Sequence, residues 1–267
     1  MTADNPAYPE SVLGLFRLDG RVAVVTGGGS GIGRMACHVL AEAGAVACVT
    51  DIDPAKAEAV AREVRERGFA AEAHALDVAR EDSVVAAMDA IDRAHGRIDV
   101  LVNNAGINRR GPTLELGLDA WNEVVAVNLT GVFLCAREAG RRMVRQQGGS
   151  IVNLASIYGH VASGFAPAAP YAATKAGVVN LTRALANEWG PMGVRVNAIA
   201  PTFIETDLTR QAVFAQPEVV ALIRSRMALG RTGVPADLAG AVLYLASDAS
   251  ALVTGHSLAV DGGWLAQ

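Results

Sequence analysis

Residues 21–33 read RVAVVTGGGSGIG, and this stretch decides the fold. Positions 21–26 form a short β-branched run closed by glycines, the pattern of a buried strand. Positions 31–43 read as a helix. The same alternation continues down the chain. Strands are expected at 45–50, 70–76, 98–103, 150–155, 193–200 and 257–260. Helices are expected at 53–68, 80–95, 118–146, 169–189 and 235–247, with a less regular segment at 201–232. Pro54 suits a helix's first turn, and Asp53 before it is the natural N-cap. Alternating strands and helices argue an α/β class: a doubly wound, seven-stranded, mostly parallel sheet with helices on both faces. No linker, repeat or low-complexity tract interrupts the chain, so residues 1–267 are expected to form one domain. Residues 1–14 are its N-terminal extension.

Composition narrows the class of function. Of 267 residues, 51% are apolar and 19% charged, which suits a large core and excludes a disordered chain. The net charge of −4 gives no footprint for nucleic acid or an anionic membrane. The N-terminus shows no signal-peptide pattern, and no apolar run reaches the ~18 residues of a membrane span. The expected location is the cytoplasm. Cys37, Cys48 and Cys135 show no metal-ligand spacing, and Cys37 and Cys48, in apolar periodic segments, read as buried thiols of a reduced compartment. The five histidines likewise form no ligand motif, so no metal is expected.

The glycine-rich turn itself points to chemistry. Gly27, Gly31 and Gly33 permit a tight turn after the first strand, and the following helix offers free N–H groups and a positive dipole end to a pyrophosphate. Asp51 ends the second strand, where a carboxylate can bind ribose hydroxyls and repel a 2′-phosphate. Ser30 and Ile52 nearby supply no cation, so NAD(H) is expected rather than NADP(H). Asp77 ends the third strand, and Asn103-Asn104-Ala105-Gly106 ends the fourth. The carboxyl ends of strands form the ligand crevice of such a sheet.

A second constellation lies in PYAATKAG. Tyr171 and Lys175 stand four apart, so a helix puts both on one face. An ammonium there is expected to lower the tyrosine's pKa and yield a general acid/base for an alcohol oxygen.

Together these residues resemble the classical short-chain dehydrogenases/reductases. The matching motifs are Thr26-Gly27…Gly31-x-Gly33, Asn103-Asn104-Ala105-Gly106, Asn128, Ser156 and Tyr171-x-x-x-Lys175, in family order. The likeness runs from about Leu15 to Trp264. It implies a Rossmann-type fold and reversible transfer of hydride between an alcohol and a nicotinamide. By the resemblance Tyr171 would move the proton and Ser156 would bind the substrate oxygen. Lys175 would hold the nicotinamide ribose, and Asn128 would interrupt its helix to hold a water. The family's cofactor contacts fall on Gly27, Ser30, Gly31, Ile32 and Gly33, then Asp51, Ile52, Asp77 and Val78. They continue on Asn104, Ala105, Gly106, Tyr171, Lys175, Pro201, Ile204 and Thr206. The family also implies a homotetramer built through the helices at 118–146 and 169–189.

Two departures stand out. Pro201-Thr202 replaces the usual Pro-Gly, so this turn is expected to differ locally. The stretch from Ser156 to Tyr171 is long, through HVASGFAPAAP. The strings NNAGINRR and TGHSLAVDGGWLAQ resemble the sugar-acid branch, which includes gluconate 5-dehydrogenases and 2-deoxy-gluconate 3-dehydrogenases. Polyol dehydrogenases share much of this pattern. The expected substrate is therefore a small sugar acid or polyol. Its pocket is expected to use Asn108, Arg109, Ser156, Tyr158, His160, Phe165 and Tyr171, under a lid within 201–232. Arg109 and Arg110 suit a carboxylate or, equally, read as a solvated basic pair. The alternatives are a 3-oxoacyl-thioester reductase, a broad secondary-alcohol dehydrogenase and a silent NAD-binding regulator.

Overall fold

The computed structural model describes residues 9–162 and 167–267. Phe165, expected in the substrate pocket, lies outside them.

Seven strands form one sheet in the order β3-β2-β1-β4-β5-β6-β7. They are β1 Val22–Thr26, β2 Val46–Asp51, β3 Ala71–Ala75, β4 Val100–Asn103, β5 Gly149–Leu154, β6 Val194–Pro201 and β7 Ser257–Val260. The sequence pointed to a mostly parallel sheet; every pairing in it is parallel. All five residues of β1 are buried, since helices cover both faces. Burying one valine or leucine there contributes roughly 1.5–3 kcal/mol, so the interior strands anchor the fold.

One apolar layer joins the sheet to α1 (Gly31–Glu42), α2 (Pro54–Glu66) and α9 (Ala239–Ala246). The other joins it to α3 (Glu81–His95), α5 (Gly131–Gln146) and α6 (Ala169–Trp189). Asp53 caps α2 as expected, its Oδ1 accepting from Ala55 N at 3.0 Å and Lys56 N at 3.4 Å. The long helix expected at 118–146 is broken into α4 (Leu118–Val125), a π turn at Ala126–Thr130 and α5.

The segment after β6 is more regular than its sequence suggested. Asp207–Thr209 (α7) runs into a π turn at Arg210–Phe214, and Pro217–Ser225 forms α8. Pro217 at the first helical position supplies the start signal. Among the described residues, no helix is long and apolar enough to cross a membrane.

The strand order places a topological switch beside β1, where β2 continues one way and β4 the other. At such a point the carboxyl ends of the strands diverge and leave a crevice.

Candidate active site

A cleft of about 340 Å³ opens at that switch point. Its floor is the glycine-rich turn. Gly27 has φ +62 and Gly31 φ +53, values that side chains resist. Space decides the third glycine: a Cβ on Gly33 would lie 2.1 Å from Gly27 O. Ser30 caps α1 without a side-chain hydrogen bond, so the free N–H groups of the first turn are left to a ligand.

Side chains clamp this half of the cleft. Thr26 Oγ1 accepts from the amides of Asn104 (3.0 Å) and Ala105 (3.1 Å). Asn104 Nδ2 in turn donates to Thr26 O and Gly27 O, both at 3.0 Å. The Asp51 carboxylate accepts from Gly29 N and Asp53 N at 3.0 Å and lines the cleft with Ile52. Arg34, just past the turn, is engaged by Glu63 at 2.6 Å. Asp77 shapes the next turn, accepting from Ala79 N at 3.0 Å. Each residue singled out for cofactor contact lines this cleft except Gly33, which supports the turn from behind. Leu76, Ile107, Leu154, Ala155 and Leu208 line it too, and their apolar or common types gave no sequence signal; Thr202, singled out for replacing glycine, also lines it.

A second cavity of about 280 Å³ adjoins the first. Ser156, Tyr171, Thr202, Leu208 and Thr209 line both, so the serine and tyrosine stand where the two meet. Ser156 ends the turn after β5, its Oγ accepting from Tyr158 N at 3.2 Å. Tyr171 comes from the first turns of α6 and is hydrogen-bonded to Ser156. Tyr158 meets Tyr171 edge-on at 6.2 Å and Phe203 at 6.0 Å, which walls the second cavity with rings.

The electrostatics differ from the simplest expectation. Burial raises Tyr171 above its ordinary pKa, while the Ser156 hydrogen bond and the charge of Arg110 pull it back down. Lys175 lies 5.5 Å from the Tyr171 ring centre, and its ammonium donates to Leu154 O. The carbonyl, rather than the phenol, holds that charge. Burial pushes Lys175 itself down to about 8.

Asn128 is fully buried in the π turn. Its Oδ1 accepts from Ile107 N and its Nδ2 donates to Ile107 O, both at 2.8 Å. That reciprocal pair ties the loop after β4 to the broken helix. A π turn also shifts carbonyls out of the α-helical ladder, which suits the interruption the resemblance implied.

The substrate expectations divide. Asn108 and Tyr158 line the second cavity. Arg109 does not; its guanidinium is held by Glu123 at 2.8 and 2.5 Å, and Arg110 lines the cavity in its place. His160 is exposed and pairs with Ser257 Oγ at 2.9 Å, outside the cavity. Thr202 adopts no positive φ, so replacing glycine has not forced a strained turn.

One cluster lies away from this cleft. Donor atoms of Cys48, Glu72 and His95 gather within 4.8 Å, across β2, β3 and α3, which linear spacing cannot reveal. Burial and the charge of Glu72 raise the Cys48 thiol, against the thiolate a metal requires. Glu72 Oε1 already accepts from His74 (2.8 Å) and His95 (3.0 Å).

Residues 27–265 match a family model described as enoyl-(acyl carrier protein) reductase. A D-threitol dehydrogenase of Mycolicibacterium smegmatis is 43% identical over 93% of this chain and 94% of that protein. The chain belongs to the short-chain dehydrogenase/reductase family. A 3-oxoacyl-acyl-carrier-protein reductase of Aquifex aeolicus is 40% identical, over 93% of this chain and 98% of that protein. A crystal structure of a gluconate 5-dehydrogenase from Burkholderia cenocepacia, in complex with NADP and tartrate, matches with TM-score 0.92 at 40% identity. It covers 96% of this chain and 100% of that one. As a member of this family the protein is an oxidoreductase that works with a nicotinamide cofactor. The glycine cradle, with no room for a Cβ at Gly33 and free amides above it, fits such a dinucleotide.

Proposed function

We propose that the protein is an NAD(H)-dependent dehydrogenase that interconverts a secondary alcohol and a ketone on a small polyol or sugar acid. The observation that carries this reading is the meeting of the two cavities at Ser156 and Tyr171. One cavity has the glycine cradle, and the other has room for a small substrate.

When bound, the nicotinamide supplies the acceptor for the hydride that leaves the carbinol carbon. The chain's own residues handle the proton and the geometry. Tyr171, as phenolate, takes the hydroxyl proton in oxidation and returns it in reduction. Ser156 donates to the same oxygen and holds it beside the tyrosine. Lys175 sits under the site with its charge anchored to Leu154 O, able to hold a ribose hydroxyl. Asn128 fixes the loop after β4, and the opened turn around it would hold a water in a proton relay to Lys175. Asp51 favours NAD, because its carboxylate faces the cleft and repels a 2′-phosphate. Lys56 approaches Gly29 with its Cβ but does not line the cleft, so the carboxylate wins there.

A 3-oxoacyl-thioester reductase is the second reading, favoured by the rings of Tyr158 and Phe203 in the second cavity. Residues 201–232 serve as the lid, since Leu208 and Thr209 of α7 line both cavities. The homotetramer would use the apolar side chains left exposed on α4 and α5, Leu118, Trp121 and Phe133, and sedimentation would detect it. The deciding experiment measures kcat/KM for polyols, aldonates, simple secondary alcohols and a 3-oxoacyl thioester, each with NAD and NADP. NAD-dependent oxidation of a polyol or aldonate is expected. Best turnover of the thioester with NADPH would overturn the reading.

A further inference from the structure

The two cavities hold an imbalance that the proton chemistry leaves unused. Among the described residues, three buried side-chain polar atoms lack a hydrogen-bond partner, and two of them are Asn108 Oδ1 and Thr202 Oγ1. Both residues line the second cavity, and Thr202 also lines the cofactor cleft. A buried donor or acceptor left unpaired costs about 1–3 kcal/mol, so two in the wall of one cavity call for a partner that the chain itself does not supply once the side chains turn toward the cavity.

We propose that Thr202 and Asn108 form a hydroxyl-reading subsite that selects substrates carrying hydroxyl groups beside the reacting carbon. The inference rests on the alcohol-oxidising reading of Ser156 and Tyr171. The chemistry of the two atoms limits what satisfies them. An amide oxygen only accepts, so it demands a donor; a threonine hydroxyl both donates and accepts. A substrate hydroxyl answers both, and answers the asparagine whichever way its amide is turned. A carboxylate can accept from Thr202 but offers Asn108 Oδ1 nothing. An alkyl chain satisfies neither.

Position separates their tasks. Thr202 stands where the cavities meet, beside Ser156 and Tyr171, and so reads the carbon next to the carbinol. Asn108 lines only the outer cavity and reads a hydroxyl farther along. Thr202 Oγ1 is turned inward here, and one step about χ1 exchanges its hydroxyl for its methyl at the cavity wall. Glycine at position 202 would offer neither group. The departure from Pro-Gly is therefore a gain of a recognition group rather than a change of backbone.

The test compares a four-carbon tetritol with 2-butanol, both oxidised with NAD, in the natural protein, Thr202→Val, Thr202→Ser and Asn108→Leu. The quantity read is the ratio of kcat/KM for the tetritol to that for 2-butanol. Thr202→Val and Asn108→Leu should each lower this ratio about tenfold, the worth of one hydrogen bond, and Thr202→Ser should hold it within about twofold. A ratio that stays put in both Thr202→Val and Asn108→Leu overturns the subsite, as does an equal fall in Thr202→Val and Thr202→Ser. A natural protein that shows no preference for the tetritol refutes the polyol reading itself, which is a separate failure visible before any substitution is made.

Discussion

The two halves of the cleft are built on opposite plans. Around β1, β2 and β4, polar side chains are spent on the chain's own backbone: Thr26 on Asn104 and Ala105, Asn104 on Thr26 and Gly27, Asp51 on Gly29 and Asp53. Around the second cavity, apolar Leu208 is half exposed, while the hydroxyl of Thr202, just after β6, and the amide oxygen of Asn108, in the loop beyond β4, have no partner. A rigid half receives a ligand common to the whole family. A half with unspent groups receives what distinguishes this member. Tyr171 and Ser156 sit on the border and belong to both.

Substitution at the border should produce the largest effect. Tyr171→Phe keeps the ring against Tyr158 and removes the proton carrier, so turnover should fall by about 10²–10⁴, the usual worth of a positioned acid/base. NADH fluorescence should still report cofactor binding. Unchanged turnover would remove the border from the chemistry altogether.

The rigid half comes next. Gly33→Val pushes a side chain into Gly27 O and Asn104 Nδ2, which would lie 2.1 and 2.5 Å from the new Cβ. Backbone there cannot yield cheaply, so a loss of about 1–3 kcal/mol in stability should accompany failed NADH binding. Gly240 in α9 is the control, with nothing within 4 Å of its Cβ position. Gly240→Ala should stabilise the fold by about 0.5–1 kcal/mol. If both glycines responded alike, the contrast between a clamped turn and an ordinary helix would fail.

Lys175 tests how far the border is truly dry. Its ammonium is almost wholly buried and titrates near 8, against 10.5 for the free side chain. Between those values the unfolded chain binds more protons than the folded one, so this residue makes stability rise with pH. The gain is on the order of 3 kcal/mol across that window. Denaturant unfolding from pH 8 to 10.5 should show the slope in the natural protein and lose it in Lys175→Met. An unaltered slope would mean that water reaches the ammonium.

The same division explains what the sequence could and could not reveal. The clamped half was legible because its job needs special residue types: glycines at positive φ or in tight contact, and a carboxylate at a strand end. Asp53 as a cap was legible for the same reason, whereas the break at Asn128 came only with the family resemblance. The open half was not, because its residues act through position. Arg109 and Arg110 are identical in type and adjacent in sequence, and the fold separates them: Arg109 pairs with Glu123 on α4, and Arg110 lines the second cavity. His160 and Ser257 are likewise brought together by the sheet. The fall of Lys175 to about 8, and the rise of Tyr171, follow from burial that the four-residue spacing does not encode.

Arg109 therefore offers the finest cut between the halves. Its pair with Glu123 is about half exposed on both sides, at 45% and 48%. Such surface pairs contribute about 0–1 kcal/mol. Arg109→Ala should change kcat/KM by less than about fivefold, and by the same factor for an aldonate and a neutral polyol. Steady-state kinetics on one substrate of each kind decides it. A loss confined to the aldonate would mean that the guanidinium leaves Glu123 when substrate arrives. The open half would then recruit a cation from the surface, and the carboxylate would be part of what it recognises.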